Sequence, residues 1–123
     1  FTTDAAWAGT TNCTLKATNA YGSFVTQTLS FTVTAPTLSA SVSPSTLNAG
    51  QSLTLTTSTT NAASLVLNCT GAVPVVNEPL VVGANQIRTF VTDPAWRGTT
   101  TCVAKATNSA GGFVTKSFSF TVN

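Results

Sequence analysis

An all-β chain, folded as an antiparallel β-sandwich and repeated in tandem, is the fold class this sequence predicts. Three observations carry that expectation. Apolar and polar residues alternate over short runs that are broken by Gly, Pro, Asn and Ser, the signature of half-buried strands and turns. Thr, whose branched side chain suits a pleated surface, fills roughly a fifth of the chain. One stretch also occurs twice: FTTDAAWAGTTNCTLKATNAYGSFVTQTLSFTV at residues 1–33 returns as FVTDPAWRGTTTCVAKATNSAGGFVTKSFSFTV at residues 90–122. The offset is 89 residues throughout, pairing Asp4 with Asp93, Trp7 with Trp96, Cys13 with Cys102 and Val33 with Val122 without a gap. Such a period exceeds a solenoid unit and has the size of one small domain. Residues 1–34 are therefore expected to be the last strands of one domain, and residues 35–123 the whole of the next.

Each element follows in order. Residues 10–19 alternate as a strand, residues 20–23 turn, and residues 24–33 return with Leu29, Phe31 and Val33 on one face. Residues 34–37 form a very short connection, which Pro36 stiffens by holding Ala35 extended. Residues 38–42 open the complete domain. Pro44, Ser45 and then Asn48, Ala49 and Gly50 mark turns. Residues 52–58 read as a strand with Leu53, Leu55 and Thr57 on one side, residues 60–63 as a turn, and residues 64–69 as a strand with Leu65, Leu67 and Cys69 sharing a face. Residues 73–76 and 80–82, interrupted by Pro74 and Pro79, are expected to be two edge strands. Residues 86–91 form another strand, residues 93–98 a loop, and the repeated hairpin closes the chain. No segment shows a helical period.

Composition narrows the function classes. Hydrophobic residues make up 42% and charged residues 7%, against a usual charged share of about 25%. Apolar residues are plentiful enough to exclude a disordered chain. The net charge of +2 comes from Lys16, Arg88, Arg97, Lys105 and Lys116 against Asp4, Glu78 and Asp93. These charges are dispersed, whereas a nucleic-acid footprint needs a clustered basic stripe. No uninterrupted apolar run approaches a membrane span. With no His, a Ser-His-Asp or Cys-His arrangement is excluded, and no close Cys pair offers a metal site. Three carboxylates are thin material for a glycosidase pair or a calcium site. The expectation is a protein without catalysis, metal or cofactor. The chain opens inside a repeat, with neither Met nor signal segment, and reads as cut from a longer polypeptide.

Asp93…Gly98…Cys102, the tail ATN, a Gly-rich hairpin and a final strand together resemble the loop between strands E and F, strand F and strand G of the immunoglobulin-like superfamily. NAGQSLTLTTS is similar to the approach to strand B. The resemblance spans residues 36–123 as a whole domain and residues 1–33 as the end of another. It is closest in character to the Thr-rich Ig-like repeats of bacterial and archaeal surface proteins, which act mostly as stalks, adhesin shafts or filament walls. Three positions depart from the antibody-type pattern: Thr57 stands where the first Cys would be, Cys69 where the core Trp would be, and Thr100 at the tyrosine corner. The usual bridge between sheets is then impossible. Strands C and F are neighbours in that fold, so the resemblance implies a disulfide between Cys69 and Cys102, with a pair of free buried thiols as the alternative. Cys13 has no equivalent partner in this segment.

Other residues carry two readings each. Trp7 and Trp96 precede strand F and either plug the end of the core or make an inter-domain contact. In the second case Trp7 meets the linker at Pro36 and the loop from Ser109 to Gly112. Asn12 and Asn68 head the sequons Asn12-Cys13-Thr14 and Asn68-Cys69-Thr70, which are either glycosylation sites or a chance pattern in a Thr-rich chain. Lys16 and Lys105 invite comparison with the Lys–Asn crosslinks of some surface Ig-like domains. Strand parity, however, turns Cys102, Ala104 and Ala106 inward and Lys105 to solvent. The expected function is structural: an extracellular or cell-surface repeat that stacks with neighbouring copies into a stalk, adhesin shaft or filament. Sparse charge lets such copies pack side by side. The alternative is a carbohydrate- or receptor-binding adhesin module, which would want several exposed aromatics on one face.

Overall fold

A computed structural model describes residues 8–123 of the chain. The first hairpin joins β1 (Gly9–Thr18) to β2 (Phe24–Val33). There follow β3 (Thr37–Ser43), β4 (Thr46–Leu47), β5 (Ser52–Thr60) and β6 (Ser64–Gly71). The remainder comprises β7 (Val75–Leu80), β8 (Gln86–Val91), β9 (Gly98–Thr107) and β10 (Phe113–Val122). A single 3-10 turn, Pro94–Trp96, is the one helical segment among the described residues. Asp93 caps it by accepting from the Ala95 amide at 2.8 Å.

The chain is all-β, and its strands form three sheets. β1 and β2 stand alone; β4-β10-β9-β6-β7 make a five-stranded sheet; β3-β5-β8 make a three-stranded one. Named strand pairs are antiparallel, except for β4 beside β10. The two larger sheets share one core. Leu38, Leu53 and Leu55 from the three-stranded sheet cluster with Leu65, Leu67, Cys69, Cys102, Ala104, Ala106, Phe120 and Val122 from the other. The cause is the period of two: Leu65, Leu67 and Cys69 all point inward, as do Cys102, Ala104 and Ala106. A slip of one residue would turn every one of them to water, so the burial itself specifies the register.

Several expectations need correction. Residues 73–76 and 80–82 are not two edge strands: one strand, β7, runs from Val75 to Leu80 and pairs with β6 at the sheet edge, and residues 73–74 and 81–82 lie outside it. Pro79 does not break it, because an edge strand has a side on which no ladder hydrogen bond is required. The irregularity lies instead at a register shift between Leu67 and Cys69. There Asn77 takes a φ of 50° and its amide donates to Asn68 Oδ1 at 2.9 Å. β5 runs through Thr60, two residues beyond its expected end at Ser58 and into the first residue of the expected turn, because Thr57 and Thr59 continue the inward alternation and are buried. β4 had no counterpart in the sequence reading. It is held by Thr121 N donating to Ser45 O at 2.8 Å and Asn123 N to Leu47 O at 2.9 Å.

Buried hydroxyls in this core are satisfied. Thr92 Oγ1 donates within reach of Gln51 O at 2.8 Å and Asn48 O at 3.2 Å, tying the end of β8 to the turn before β5. Thr59 Oγ1 accepts from Gly83 N at 2.8 Å. Thr100, fully buried, accepts from Val73 N at 3.1 Å. Such pairing is what allows Thr to replace apolar residues inside the core.

Candidate functional site: the open hairpin and its junction

Cys69 and Cys102 lie directly opposite each other on β6 and β9 and are joined by a disulfide. Both are buried. The bond lies within one sheet, on neighbouring strands.

The two copies of the repeated stretch form the same hairpin down to its local interactions. Asn19 Oδ1 accepts from the amides of Tyr21 and Ser23, and Asn108 Oδ1 accepts from those of Ala110 and Gly112. An Asn at the head of a turn mimics the backbone in this way. Gly22 and Gly111 follow with φ of 84° and 86°, a conformation that suits Gly. Lys16 Nζ sits 4.2 Å from the Phe24 ring centroid, and Lys105 Nζ sits 4.3 Å from that of Phe113. Thr10 meets Thr32 at 3.0 Å, as Thr99 meets Thr121. Both lysines are exposed, as strand parity required of Lys105.

The surroundings of the two hairpins differ. β9–β10 is flanked by β6 and β4 and packs on the common core. β1 pairs with β2 alone among the described residues. Register places Cys13 opposite Leu29, Leu15 opposite Gln27 and Ala17 opposite Val25. These positions share one face by the period of two. On it Leu15 is 58% exposed, Val25 68% and Leu29 51%, and Cys13 is an exposed free thiol. The equivalent of Cys13 is Cys102, at 1% exposure. Thus the first hairpin presents, open to solvent, the face that its copy buries.

The hairpin meets the rest of the chain at residues 34–36. Thr34 O accepts from Asn61 Nδ2 at 2.6 Å and from Asn108 Nδ2 at 3.0 Å. Asn61 lies in the loop between β5 and β6, and Asn108 in the loop between β9 and β10. Of the residues expected at this contact, Pro36 is buried, Gly112 is buried beneath the Asn108 amide, Ser109 is exposed, and Trp7 falls outside the described residues. Asn61 and Asn108 were not singled out from the sequence. The available signal was an Asn at the start of each turn, but its long-range partner had no local trace. Trp96 is half-buried and packs against the core, on the plug reading. Of the two sequon residues, Asn12 is exposed, and Asn68, also exposed, uses its oxygen to anchor Asn77.

No helix among the described residues is long and apolar enough to cross a membrane. No family model matches the chain, and a search of curated proteins likewise returns no match.

Proposed function

We propose that this chain is a structural module of an extracellular polymer: an Ig-like β-sandwich at residues 35–123, preceded at residues 1–34 by the closing hairpin of a like domain. Neighbouring copies of the sandwich stack end to end into a stalk, shaft or filament. One observation supports this reading above the others. The same hairpin occurs twice, once with its apolar face covered and once with the corresponding face open. A two-stranded hairpin is marginal in water, so the first copy needs the cover that β3–β8 give the second. In the polymer that cover comes from equivalent strands, and a cysteine equivalent to Cys69 stands opposite Cys13. The grip of Asn61 and Asn108 on Thr34 O then recurs at every junction and sets the angle between modules. An intramolecular disulfide is compatible with an oxidising, extracellular setting.

Sedimentation and mass spectrometry test the reading. The purified chain is expected to associate through the open face as concentration rises. Alkylation without reductant should modify Cys13 alone. Leu29→Glu places a charge on the open face, remote from the common core, and should abolish association while the rest of the chain stays folded. A strict monomer with well-protected β1 and β2 amides would contradict the proposal. Specific capture on a glycan array by the Leu29→Glu protein would move the conclusion to a recognition module.

A further inference from the structure

Between the two larger sheets lies a chamber of about 270 Å³. Its walls are Leu53, Leu55 and Phe90 from one sheet and Leu67, Phe118 and Phe120 from the other. Protein interiors pack densely and leave few voids larger than a water molecule, so a space of this size stands out. Its location is also specific. β7 and β8 are the edge strands of different sheets, so no backbone ladder closes the gap between them. Arg88 shares the inward side of β8 with Phe90, and Glu78 lies opposite the buried Leu67; the two meet across the gap at 3.2 Å. Each is nearly half-exposed, which marks this side as the mouth. Arg88 also stacks 5.1 Å from the Phe90 ring centroid, so the ion pair leans on the chamber wall.

We infer that this chamber is a binding site for a small, uncharged, apolar molecule, an aromatic or hydrocarbon compound of about fused-bicyclic size. Size and charge both select that class. A dry apolar void of about 150 Å³ accommodates benzene, and this one is larger. The charges at the mouth already neutralise each other, and the Thr100 hydroxyl on the wall is engaged by Val73 N. No buried side-chain polar atom among the described residues lacks a hydrogen-bond partner. A charged or hydrogen-bonding guest would find nothing to replace its lost water, whereas an apolar guest loses nothing. The β7 irregularity at Asn77, anchored on Asn68, supports the edge strand beside the mouth. This inference does not depend on the assembly reading.

Naphthalene is the probe. Titrated into the 123-residue chain and followed by methyl and amide NMR, it should give saturable shifts at Leu53, Leu55, Leu67 and Val75. Val75→Phe places a ring on the chamber wall. That variant should melt at or above the parent temperature and weaken naphthalene at least about tenfold, because the ring occupies the space. Val42→Leu is a milder filling variant if the first does not fold, and it should weaken binding in the same direction. Three results would overturn the proposal: no saturable shift up to the solubility limit of naphthalene, shifts confined to Leu15, Val25 and Leu29 of the open hairpin, or chamber shifts that follow protein concentration without naphthalene. The last would assign the chamber to a side chain of a second copy.

Discussion

Removing the Cys69–Cys102 bond should cost the chain a large part of its stability. The perturbation is the double variant Cys69→Ala, Cys102→Ala. The bond closes a segment with a sequence separation of 33 residues. Chain-entropy arithmetic for a loop of that length gives about 3.7 kcal/mol at 25 °C. Each lost sulfur was buried, at 6% and 1% exposure, and adds a packing loss on the order of one methylene, about 0.8 kcal/mol. Together these approach a loss of about 5 kcal/mol, against a usual total of about 5–15 for a domain. At about 4–8 °C per kcal/mol for a unit of this size, even the entropic part lowers the melting temperature by roughly 15–30 °C. Calorimetry and urea titration of parent and variant measure the difference. Cys13→Ser is the control and should melt with the parent, because Cys13 is exposed and unbonded. The reasoning fails if the double variant melts within about 5 °C of the parent. The bond would then constrain little in the unfolded chain beyond what residual structure already constrains.

Three further outcomes are expected. Gly71→Ala should cost at least about 2 kcal/mol in urea unfolding, because its Cβ would sit 2.3 Å from Thr99 O at a φ of 108°; Gly111→Ala, with open space around it and a φ of 86°, should cost only about 1 kcal/mol. Asn108→Ala should cost about 2–4 kcal/mol and speed hydrogen exchange at Gly112, since it orphans the amides of Ala110 and Gly112 and takes one of two donors from Thr34 O. Glu78→Gln should change stability by less than about 0.5 kcal/mol, and by less still in high salt, because the pair with Arg88 is 47% and 43% exposed.

What the sequence made legible follows from physics that is local. Alternation placed Leu53 and Leu55, Leu65, Leu67 and Cys69, and Cys102, Ala104 and Ala106 on inward faces, because each strand buries one side only. β4 escaped notice because two residues, Thr46–Leu47, contain no period, and their pairing with β10 is a parallel contact between distant parts of the chain. The sequence divides β7 at Pro79 because composition cannot tell an edge strand's outer side from its hydrogen-bonded one. The Asn61 and Asn108 bonds to Thr34 were invisible for the same reason: spans of 27 and 74 residues leave no local mark. The repeated stretch makes the division sharpest. Its two copies share the Asn-headed turn, the Lys–Phe stacking and the Thr–Thr pair, so the residues they have in common yield one local shape. Yet Cys102 is sealed in a core while Cys13 faces water. Cross-strand terms of this kind are each worth about 0.2–1 kcal/mol and do not hold a lone hairpin. The cross-strand contacts of the first copy therefore do not by themselves account for its stability, whereas the second copy has a common core behind it.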